Sequence, residues 1–163
     1  MKKWIVGCLV VLSCLVFAQV SLADVIATRT NANQLTVGAG SASCVPVVNV
    51  GALRFVTTRD YQRVVFQYTA ECTVKSPDTF TWLNVDLVVD GAQISPTQTI
   101  DNAFCTSRGI NDLNGWVSPA VVGVVVVPEA GLHTASVNAN LVNCNDATDD
   151  VWRLDDSTIV LSN

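Results

Sequence analysis

Arg63 to Lys75 alternates without a break: Val64, Phe66, Tyr68, Ala70, Cys72 and Val74 share one parity, and Val65, Gln67, Thr69, Glu71, Thr73 and Lys75 the other. A period of two held over this length is that of a strand half-buried in a sheet, not of an amphipathic helix. The first set faces a core and the second mostly faces water. The same pattern returns in Thr81 to Asp90, with Leu83, Val85, Leu87 and Val89 inward, and from His133, with Ala135, Val137, Ala139 and Leu141 inward. Asp90-Gly91 predicts a tight hairpin that folds Ala92 to Ile94 back, and Pro128 to Gly131 predicts a second turn. Trp116 to Val127 carries valine on both parities, which predicts a central strand covered on both faces, or one lying against a partner chain.

The remaining segments are shorter. Trp152 to Leu154 and Thr158 to Leu161 read as two closing strands around Asp155-Asp156. Val45 to Val50 and Leu53 to Thr57 are the best strands of the amino-terminal part, and Asp101 to Gly115 reads as a long polar loop. About eight strands joined by turns, with no helix pattern, predict an all-β fold: a two-sheet antiparallel β-sandwich of jelly-roll or immunoglobulin-like topology.

The first 23 residues follow a different rule. Lys2 and Lys3, the apolar run Trp4 to Phe17 and the small residues of Ser21-Leu22-Ala23 form a secretory signal, so residues 24–163 are expected to be one mature domain, secreted or periplasmic. Val11-Leu12-Ser13-Cys14 offers the competing outcome of a lipid anchor on Cys14. No later apolar run reaches membrane-spanning length, since Val121 to Val127 is short and contains Gly123. Without Lys2 and Lys3, seven basic residues face fourteen acidic ones, a balance of −7 that argues against a nucleic-acid partner.

Export changes the meaning of the cysteines. Cys44, Cys72, Cys105 and Cys144 are an even set in an oxidising compartment, so two disulfides are expected out of three possible pairings. Cys44 with Cys72 and Cys105 with Cys144 is the favoured arrangement. Zinc sites bring cysteines in close pairs, which these four do not form.

Candidate chemistry is sparse. His133 is the only histidine, no motif places a nucleophile for it, and its position predicts a hydrogen bond to a turn carbonyl at the mouth of the sandwich. Glu71, Asp86 and Glu129 could supply a carboxylate pair for glycoside hydrolysis, but Glu71 and Asp86 fall on water-facing strand positions. Asn145, Asp146, Asp149 and Asp150, after Asn143, are oxygen-rich enough for a weak extracellular calcium site, although a solvated acidic loop accounts for them too. Trp82, Trp116 and Trp152 are candidates for stacking on a sugar, with Trp82 opposite its strand's inward set and the other two at strand starts, where they could instead plug the sandwich ends.

A cysteine early in the chain followed by another at the end of a long strand, Cys44 and Cys72, resembles fimbrial subunits, although Thr158 to Leu161 lacks their aromatic ending. That resemblance implies assembly by strand addition at an open sheet edge. The expected function is therefore an exported, non-enzymatic binding or self-assembling module. Its expected partner is a glycan, a protein or a second copy of itself.

Overall fold

A computed structural model describes residues 24–38, 47–94, 103–109, 112–144 and 150–163. They form ten strands and no helix: β1 (Val25–Asn31), β2 (Leu35–Gly38), β3 (Val48–Thr57), β4 (Gln62–Lys75), β5 (Trp82–Val89), β6 (Ala92–Gln93), β7 (Ala103–Thr106), β8 (Ala120–Val127), β9 (Gly131–Val142) and β10 (Val151–Ser162). All pairings are antiparallel. One sheet runs β1-β10-β4-β8, with β2 also on β10; the other runs β3-β9-β5-β6, with β7 also on β5.

This order decides between the two expected topologies. β1 and β2 lie end to end along β10, and β6 and β7 end to end along β5, so each pair fills a single strand position. The first position then pairs with the last, the second with the seventh, the third with the sixth and the fourth with the fifth. That is one long antiparallel ribbon wound up on itself, the jelly roll.

The inward set of β4 read from the sequence is buried to the last residue: Val64, Phe66, Tyr68, Ala70, Cys72 and Val74 are each at most 4% exposed. Leu83, Val85, Leu87 and Val89 of β5 and Ala135, Val137, Ala139 and Leu141 of β9 meet them from the other sheet. The Asp90-Gly91 turn forms with φ of 49° and 82°, the double positive φ of a type I′ hairpin.

Several expectations are corrected. Cys72 bonds to Cys105, which replaces both favoured pairings. The reason is geometric: Cys72 points inward from β4, and what was read as a loop after Asp101 contains β7, whose Cys105 points inward from the opposite sheet. The disulfide is thus a bolt between the two layers. Cys44 lies outside the described residues, and Cys144 follows β9, half-buried. The two closing strands are one, β10, carrying a bulge where Asp155 pairs with Glu71 but Thr158 pairs with Thr69. Val48–Thr57 is likewise a single strand, with a register shift between Asn49 and Gly51.

The valine-rich strand is at an edge, not in the centre. Among the described residues β8 pairs with β4 and is flanked by no other strand; Val122, Val124 and Val126 on its outer face are 46%, 49% and 54% exposed. Its inner face is Val121, Gly123, Val125 and Val127. A Cβ on Gly123 would stand 2.9 Å from the Ile94 carbonyl oxygen, so this glycine lets the β5–β6 hairpin close against the strand.

Candidate functional site

Three irregularities of the backbone fall at one place. The first edge position is interrupted at residues 32–34, between Asn31, which pairs with Ser157, and Leu35, which pairs with Leu154. Opposite this break β10 carries its bulge, with Asp156 at φ 43°. Across the sandwich, β3 bulges at Val50. Bulges re-aim side chains and part the ladder locally. Here they open a cleft of about 230 Å3 between the two sheets at the β1–β2 and β3 edges.

Its polar lining is Asn31, Asn33, Gln34, Asn49, Ser157 and Tyr68; Leu35, Val50 and Leu154 supply the apolar part. The lining contains no charged side chain. The amides are held in place from behind: Asn31 Oδ1 accepts the Asn33 N–H at 3.1 Å, the Gln34 amide donates to Asp155 Oδ2 at 3.3 Å, and the Asn49 amide donates to Asn138 Oδ1 at 3.3 Å. Each keeps further donor or acceptor capacity, since an amide carries two N–H groups and a carbonyl with two lone pairs.

Tyr68 is the unusual member. Its ring lies in the core, 5.6 Å from that of Phe104, and the residue is 1% exposed. Burial pushes its hydroxyl up to about 12, and the Ser157 side chain draws it only part of the way back. Among the described residues no hydrogen bond of normal geometry reaches the phenol oxygen, which is also out of contact with water. A buried hydroxyl left in that state costs about 1–3 kcal/mol unless something supplies the missing bond.

The expected tryptophan platform is absent as such. Trp152 is fully buried in the core between Val37 and Val74 and cannot reach a ligand. Trp82, first residue of β5, is half-buried with its Nε1 out of contact with water, and Trp116, ahead of β8, is also half-buried. Trp82 belongs to β5 and Trp116 to the segment before β8, with no ring contact between them among the described residues. Of the acidic loop, Asn145, Asp146 and Asp149 lie outside the described residues, while Asp150 is 1% exposed at the start of β10. Among the described residues no group of three or more His, Cys, Asp or Glu side chains is placed to hold a metal.

His133 sits at the other end of β3, beside the turn carbonyl expected of it. Its Nδ1 donates to Asp90 Oδ2 at 2.7 Å, and its Nε2 lies 3.0 Å from both the Glu129 carbonyl and Thr57 Oγ1. Burial raises Asp90, but the Thr134 N–H bond and the neighbouring His133 outweigh it and hold the carboxyl below its ordinary range. The order carboxylate, imidazole, hydroxyl is that of a nucleophilic triad. Thr57, however, is 2% exposed, donates its proton to the Glu129 carbonyl at 2.9 Å and accepts the Gly131 N–H at 3.1 Å. The cluster is a fastening that ties the Pro128–Gly131 turn to β3, with no approach for a substrate.

Sequence reading missed the cleft because asparagine and glutamine between strands look like turn residues. The available signal was Tyr68, a hydroxyl-bearing ring on an otherwise apolar inward set.

No protein-family model matches the chain, and no curated protein matches it. Among solved structures it is similar to one titled "EclA C-terminal domain; sugar-binding protein", at 15% identity and a TM-score of 0.38, covering 87% of this chain and 85% of that one. A likeness so distant says nothing of what this chain binds.

Proposed function

We propose that the protein is an exported, non-enzymatic binding module that takes a glycan in the cleft between its β1–β2 and β3 edges. The observation that carries this reading is a cleft between the two sheets lined by amides and hydroxyls with no charged side chain among them. Amides and hydroxyls each donate and accept, as sugar hydroxyls do, and the leucine and valine surface beside them suits the C–H face of a ring. The disulfide bolt fits an oxidising compartment. A glycan array probed with residues 24–163 tests the site. Signals are expected to survive Trp82→Ala and to fall about tenfold on Asn49→Ala, the scale of losing a bond and stranding its partner. The reverse pattern would move the site to the tryptophan.

A second reading rests on β8. Monomeric proteins protect edge strands with charge, proline or cover, and Ala120 to Val127 contains no charged residue and no proline. An antiparallel pairing of β8 with β8 of a second copy would be self-complementary and would join the exposed valines into one apolar row. Light-scattering gel filtration reads this directly: the expected result is a dimer that Val124→Lys returns to monomer, and a wild-type monomer removes this reading.

A further inference from the structure

We infer that the cleft accepts one neutral sugar ring, as the terminal unit of a glycan, without a metal ion. This rests on the glycan reading above and makes it more specific in charge, size and cofactor.

Charge comes first. The lining offers only neutral donors and acceptors, and Asp155, bonded to the Gln34 amide at 3.3 Å, places a carboxylate beside it. An anionic sugar would lose its hydration without gaining a cation, a cost no set of neutral bonds offsets fully. Uronic acids, sialic acids and phosphorylated sugars are therefore disfavoured. Size follows from the volume. About 230 Å3 is below the range of drug-sized pockets, so the cleft takes about one ring and leaves the rest of a glycan outside. The missing cation follows from the donor set: calcium takes several carboxylate oxygens, and none lines the cleft. The Tyr68 hydroxyl is out of contact with water, so the polar contacts come from the asparagine, glutamine and serine side chains of the lining.

The test is a titration followed by protein NMR, in chelator and again with calcium, using the methyl glycosides of glucose, galactose, mannose and fucose, and the glucuronide and galacturonide counterparts of the first two. At least one neutral glycoside is expected to bind, with its uronide, where the panel holds one, at least about tenfold weaker. Tyr68→Phe removes a poorly satisfied buried hydroxyl beyond the reach of a ligand, so binding is expected to be unchanged and the melting temperature unchanged or raised. If a uronide binds as well as its neutral twin, or if calcium is required, while Asn49→Ala still abolishes binding, the specificity inferred here is overturned and the cleft stands. If binding ignores Asn49→Ala, or if no glycoside binds with or without calcium, the glycan reading of the cleft fails with it.

Discussion

Trp152→Ala is expected to cost about 3–5 kcal/mol and, for a domain of this size, to lower the melting temperature by about 10–20 °C. Trp152 is the largest fully buried side chain and belongs to β10, the strand that β1, β2 and β4 all pair with. Its removal leaves a cavity in the middle of a layer where neighbours on both sides are fixed by ladder hydrogen bonds and cannot collapse inward. Trp152→Phe should cost less, because it refills much of the space and removes an indole N–H that has no hydrogen-bond partner. Thermal unfolding followed by circular dichroism measures both. A loss below about 1 kcal/mol for the alanine variant would place Trp152 at the surface and return it to the list of ligand-stacking residues.

Replacing Cys72 and Cys105 together by alanine is expected to cost about 3–4 kcal/mol, the chain-entropy value for a cross-link spanning 33 residues. The effect should be seen in denaturant midpoints at constant ligand and pH. Peptide mapping of the oxidised protein should recover Cys72 joined to Cys105, and by parity Cys44 joined to Cys144. Recovery of a Cys44–Cys72 peptide would overturn the pairing and with it the position of β7.

What could be read in advance was what repeats. β4, β5 and β9 announce themselves because each buries one face along its whole length, and a two-residue period has no other physical origin in a chain of this composition. The Asp90-Gly91 hairpin was legible because few residue pairs tolerate positive φ twice in succession. β8 was misplaced for the opposite reason. Valine on both parities is the signature of a strand covered twice, and an edge strand with one face left open carries the same letters. β10 and β3 each read as two strands because a bulge breaks the alternation as a loop does, with Asp155 and Asp156 in β10 and Val50-Gly51 in β3. The cleft is built from those same interruptions, so the features that hid the strands are the ones that make the site. The disulfide was mispaired because pairing depends on which sheet a cysteine faces from, and β7 is too short for its period to show.

The position of β10 bears on when this protein can fold. β10, more than a hundred residues along the chain from β1 and β2, holds them on one side and β4 on the other. Until residues 151–162 have left the ribosome, that layer has no centre, and its earliest strands have nothing to pair with. Such non-local pairing delays folding until β10 is made. The same ribbon that pairs β1 and β2 with β10 therefore makes the closing of this layer one of the late steps of folding.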